Sequence, residues 1–282
     1  MSDVLVGSVV ILGMVLVVPL GLRLMDDGRG ALHVIVQIWP GAALAGAVSL
    51  VLERGGLAVA LASVYALVTL WLAALAVLRL WRRRSLRPVE IAILTAMVAP
   101  LVAGSSLIAE RAGYELFGFD VAILALTVAH FHFAGFAAAL IAGLAASTVC
   151  SPMSETAALT VPVGTALVFA GYFTSDEVEL LGAVVLTAGM WMLGWTMWRR
   201  VRPASTHHAT RLLFTISAAV LAATMILALS WAAGQVWNVV PYLSLSWMVA
   251  THGIANALGF AVCGLLAWRR LRDELSDARL PG

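Results

Sequence analysis

Long apolar stretches separated by short polar breaks follow one another along the whole 282-residue chain. A hydrocarbon core about 30 Å thick takes roughly 20 residues of helix to cross. Breaks at Gly, Pro and charge clusters delimit nine such stretches, near 4 to 25, 31 to 52, 56 to 80, 88 to 109, 121 to 146, 157 to 174, 178 to 198, 210 to 235 and 244 to 268. The pattern predicts an all-α, polytopic transmembrane helix bundle of about nine spans. Pro19, Pro40, Pro100 and Pro162 fall inside predicted spans, where neighbouring helices can satisfy the backbone groups a proline frees. The first stretch, "MSDVLVGSVVILGMVLVV", has no positive leader and no small-residue cleavage site, so it reads as a retained helix. The expected organisation is a single transmembrane domain over 1 to 268 and a charged cytoplasmic tail over 269 to 282.

Composition supports the membrane reading: 62% of residues are hydrophobic and 11% charged, against roughly 25% charged in soluble domains. Charge then sets orientation, because short cytoplasmic loops collect arginine. With nine spans and the amino terminus outside, fifteen of the seventeen basic residues, all of them arginine, fall on the cytoplasmic side, and Arg54 and Arg111 fall outside. One missed span would invert every later loop. The expectation is therefore an amino terminus outside, a carboxyl terminus in the cytoplasm, and residence in the inner membrane. The runs "WRRRSLR" (81 to 87) and "WRRVR" (198 to 202) read as topology anchors with interfacial tryptophan rather than lipid-headgroup or nucleic-acid patches. Cys150 and Cys263 lie far apart with no ligand spacing, so neither a disulfide framework nor a zinc site is indicated.

Polar groups at depth are the candidates for chemistry, because an ionisable side chain in hydrocarbon needs a partner or a function. At 1.5 Å per residue, His130 and His132 in "AHFHFAGF" lie roughly 14 and 17 Å down the fifth span, and His252 in "MVATHGIANALGF" roughly 12 Å down the ninth. Three histidines from two helices at one depth suggest one polar cavity. His130 and His132 are two positions apart, so a regular helix aims them at different neighbours; one serves the site and the other packs elsewhere. Asn256 and Met248 share the face of His252, and Thr127 lies one turn before His130. Phe131, Phe136 and Trp247 are the aromatic candidates for lining, with Gln37 a further polar one; Gln235, Asn238 and Tyr242 are weaker signals. Glu110 and Asp120 flank the outer loop that leads into the histidine helix and are candidate acids at its mouth. Their structural alternatives are an ion pair with Arg111 and a helix N-cap. For the histidines the structural alternative is hydrogen bonding that glues helices together.

"FDVAILALTVAHFHFAGF" (119 to 136) and "MVATHGIANALGF" (248 to 260) resemble the two signature segments of the YndJ-like bacterial membrane proteins. The resemblance covers about thirty residues closely and implies a multi-spanning membrane protein whose signature includes His130, His132, His252 and Asn256. Some members carry a transporter label, and no mechanism transfers with it. A fainter similarity, to the HxHxxxxG pattern of small haem or copper membrane proteins, needs a glycine where this chain has Ala137.

Four classes of function fit these residues. The first is an enzyme doing acid/base chemistry (isomerisation, cyclisation or epoxide opening) on a lipophilic small molecule, since imidazole exchanges protons near neutrality; it needs no redox cofactor. The second is a small-molecule or proton-coupled transporter. The third binds haem or copper through the histidines, and the fourth is a structural or interaction protein. The acidic outer mouth favours the enzyme, with membrane lipids and a lipophilic substrate as partners and no nucleic acid; oligomeric state stays open.

Overall fold

A computed structural model describes residues 2–237 and 240–277. Among these residues there is no strand, and nine helices are long and apolar enough to cross a membrane: α1 (Val4–Met25), α2 (Gly30–Val51), α3 (Gly56–Arg83), α4 (Pro88–Ala112), α5 (Val121–Val149), α6 (Pro152–Thr174), α7 (Asp176–Ala204), α8 (His208–Val236) and α9 (Leu245–Asp277). The nine-span bundle follows from hydropathy as expected, and the helices overrun the apolar stretches at several ends. The sixth begins earlier than its apolar run because Ser151 and Ser154 form a reciprocal capping box and Pro152 opens the first turn. The third and fifth stop where Arg84 and Cys150 turn into left-handed backbone. The ninth continues through the charged segment: Leu271 is buried, and the Glu274 carboxylate accepts hydrogen bonds from Ser205 (2.7 Å) and Thr210 (2.6 Å).

The chain folds as two compact units, one formed by the residues up to Ser85 with Leu94–Ala137, the other by Leu86–Ile93 and the residues from Ala138 onward. In the first unit, small residues let helices approach: a side chain at Gly46 would collide with Met14 and Tyr65, and one at Gly104 with Thr69 and Ala66. In the second unit, α6 and α7 form the closest pair. Gly164 lies on the backbone of Leu186, Gly171 on that of Glu179, Gly182 on that of Val168, and Gly189 against Thr160 and Val161. No β-carbon fits at any of the four.

Candidate functional site

The first unit builds its polar centre from a proline. The backbone of α1 widens into π-helical hydrogen bonding over Gly13–Val17, where the Val18 N–H donates to the Gly13 carbonyl. In that register the Met14 carbonyl would next pair with residue 19, which is proline and has no N–H. The Trp39 indole fills the gap by donating to the Met14 carbonyl at 2.9 Å. Trp39 then stands edge-on to Tyr65, with ring centroids 5.6 Å apart. The Tyr65 hydroxyl lies 2.6 Å from Nε2 of His132. Met14, Trp39, Tyr65 and His132 are all fully buried.

His132 itself sits on a second widened segment, Phe131–Ala138 of α5. A β-carbon at Gly13 would fall 2.8 Å from both Cβ and Nδ1 of the imidazole, so only glycine lets α1 pass. Nδ1 has no hydrogen-bond partner. A buried polar atom without a partner is uncommon and marks strain or function. The phenol and imidazole form a fully enclosed hydrogen-bonded pair. A metal at this ring would have to displace either Tyr65 or Gly13.

The second unit carries His252 on the widened segment Val249–Gly253 and Asn256 on Ala255–Val262. His252 Nδ1 lies 2.9 Å from the Thr224 carbonyl. A carbonyl only accepts, so Nδ1 carries the proton, and in the neutral ring Nε2 holds the lone pair. Asn256 donates from Nδ2 to the His252 carbonyl at 2.9 Å, and its Oδ1 lies 3.0 Å from the Thr224 hydroxyl. Thr224 thus holds both signature residues. One helical turn away from it, Val220 abuts Gly259, and Ser217 donates to the Phe260 carbonyl at 3.0 Å. His252 and Asn256 are half-buried, as is Met248, whereas Trp247 is exposed.

Glu110 is buried in the first unit, ion-paired with Arg111 and with Arg54, whose NH2 is 2.9 Å away. Arg111 also reaches the carbonyls of Ser49 and Leu52, so the cluster closes the end of α2. Asp120 caps α5, accepting from the Ala122 N–H at 2.7 Å. Both acids therefore occupy the structural alternatives recognised for them. His130 is half-buried and edge-on to Phe131, and the Thr127 hydroxyl bonds within its own helix to Ile123. Phe131 and Phe136 are buried. Gln37 is exposed and bonds to His33, which pairs with Asp26 at 2.8 Å. Gln235 and Tyr242 are exposed; Asn238 and Arg279 lie outside the described residues. Among the described residues no three His, Cys, Asp or Glu side chains group as a metal site would require.

Sequence reasoning missed Tyr65, Trp39, Thr224 and Gly13. A signal existed for two of them, because a phenol or indole in mid-span must find a hydrogen-bond partner. Nothing in the apolar pattern marks Thr224 or Gly13.

Apolar helices that meet through such buried hydrogen bonds define a polytopic α-helical membrane protein. The chain belongs to the YndJ-like protein family, whose model matches residues 8–260. It is 24% identical over 237 residues to the uncharacterized membrane protein YndJ of Bacillus subtilis (strain 168), an alignment covering 83% of this chain and 42% of that protein. The chain thus spans less than half the length of this curated relative. No solved structure matches it.

Proposed function

We propose that this membrane protein is an acid/base enzyme acting on a lipophilic small molecule, with His252 as the proton-exchanging group. The observation that supports the reading is the 2.9 Å contact of Nδ1 with the Thr224 carbonyl. It fixes the tautomer, leaves Nε2 as the basic atom, and does so on a ring that is only half-buried. Asn256, held by Thr224 and the His252 carbonyl, orients the imidazole or the substrate. The substrate is an isomerisable, cyclisable or epoxide-bearing molecule that enters from the bilayer. The orientation that accompanies this reading puts the amino terminus outside; reporter fusions after residues 84, 115 and 203 should report inside, outside and inside.

The enclosure of Tyr65 and His132 favours a second reading, a proton-coupled carrier. The pair has no exposed surface and so offers no room for a substrate molecule, while ionisable groups inside a span are what a proton path uses. The two readings separate experimentally. Cells carrying the gene are compared with His252→Gln and Tyr65→Phe cells by mass spectrometry of their lipid-soluble extracts, and inverted vesicles from each are assayed for proton movement. The enzyme reading expects a gene-dependent product that His252→Gln abolishes. A His252→Gln variant with full product overturns it, and a Tyr65→Phe variant that stops proton movement alone supports the carrier.

A further inference from the structure

The last three turns of α7 hold "WMLGWTMWRRVR", residues 191 to 202, in the second unit. Trp191, Trp195 and Trp198 recur at helical spacing on one face. With Gly194 between them and Ala219 and Ala222 of α8 opposite, they line an open apolar groove of about 460 Å³. From Trp191 to Trp198 it runs roughly 10 Å along the helix axis.

One end of the groove is cationic. The Arg199 guanidinium stands 5.4 Å from the centre of the Trp195 ring, and that of Arg202 stands 4.1 Å from Trp198, inside cation–π range. Arg202 donates from NH1 to the Thr215 hydroxyl at 3.3 Å, while its Nε is buried without an acceptor. Among the described residues no carboxylate pairs with Arg199, Arg200 or Arg202. Arg54 and Arg111, by contrast, share the Glu110 carboxylate.

An apolar channel on a membrane-spanning helix pair, ending in uncompensated guanidinium groups, complements one acyl chain joined to a phosphate. Guanidinium matches phosphate in a bidentate, charge-assisted geometry. A second protein helix would cover the tryptophans and leave the arginines without counter-charge. We propose that this groove is a binding site for a single anionic phospholipid, with an acyl chain along Trp191, Trp195 and Trp198 and the phosphate on Arg199 and Arg202. The site is independent of the histidine chemistry.

The test is native mass spectrometry of the detergent-solubilised full chain titrated with dioleoyl phosphatidylglycerol and dioleoyl phosphatidylcholine. Wild type should retain one phosphatidylglycerol at roughly 30-fold lower concentration than phosphatidylcholine, each arginine contributing about fivefold. Arg199→Gln with Arg202→Gln should remove most of that preference. Ala222→Phe, at an exposed position, should fill the groove and weaken both lipids while the charge remains. Arg82→Gln, in the other tryptophan–arginine run, should change nothing. Equal retention of the two lipids by wild type, which needs no variant, overturns the proposal. So does an equal loss in Arg82→Gln, which would mean surface charge alone, or a lipid-independent dimer that Ala222→Phe dissociates, which would mean a second copy fills the groove.

Discussion

His132 and His252 both sit on widened helical segments, yet their surroundings treat the proton in opposite ways. His132 faces a phenol, which can donate or accept, so the hydrogen bond to Tyr65 leaves the proton free to sit on either ring nitrogen. Its ring is enclosed, with Gly13 against Nδ1. His252 faces a carbonyl, which dictates the tautomer, and its ring is half-buried. The contrast teaches that the chemistry of the partner, rather than depth in the bilayer, distinguishes these imidazoles. One is enclosed in the packing of its unit, and the other keeps part of its ring exposed.

The sharpest test of that contrast is His252→Gln. Glutamine keeps a donor for the Thr224 carbonyl but cannot exchange a proton, and losing general acid/base catalysis lowers rates by roughly 10² to 10⁴. The gene-dependent product should fall by that factor in extracts while the thermal unfolding profile in detergent stays at the wild-type position. His132→Ala should show the reverse emphasis. It opens a buried cavity and strips the Tyr65 hydroxyl of its partner, so stability should drop by about 2–4 kcal/mol, read from unfolding in mixed micelles. An unchanged unfolding curve would mean that His132 is not part of the packing.

Two glycines probe the same difference on a smaller scale. A methyl group at Gly13 would strike the His132 ring, and overpacking of this kind costs typically about 1–3 kcal/mol. A methyl at Gly253, next to His252, would meet only the Met248 carbonyl, at 3.8 Å. Gly13→Ala should therefore shift unfolding and Gly253→Ala should not; equal shifts would erase the distinction. The smallest effect belongs to Asn256→Ala, which removes one interhelical hydrogen bond of about 1 kcal/mol or less. It should reduce product partially, and a loss as deep as that of His252→Gln would move Asn256 from orienting to reacting.

The nine spans were legible because each is an apolar run bounded by charge, glycine or proline, and hydrocarbon demands that pattern. The widened segments were not legible. A π-helical turn uses the same residues as an α-helical one, and only Pro19, read together with the Val18 hydrogen bond, explains why α1 widens where it does. His130, His132, His252 and Asn256 stood out as polar groups in apolar surroundings. Thr224 did not, because its role at His252 is played by a backbone carbonyl, which every residue possesses. Nor could sequence rank Glu110 as an acid at a cavity mouth against its part in an ion pair, since Arg54 lies 56 positions away and only folding brings it close.

The four glycine contacts between α6 and α7 impose a mechanical consequence on the second unit. Three of them, at Gly164, Gly171 and Gly182, place one helix directly on the other's backbone, and Gly189 meets Thr160 and Val161, so sliding by a single turn would drive a neighbouring side chain into main-chain atoms. The pair behaves as a toothed rack locked at one register. Any working stroke within that unit has to be made by other helices, with this hairpin as the fixed frame against which they move.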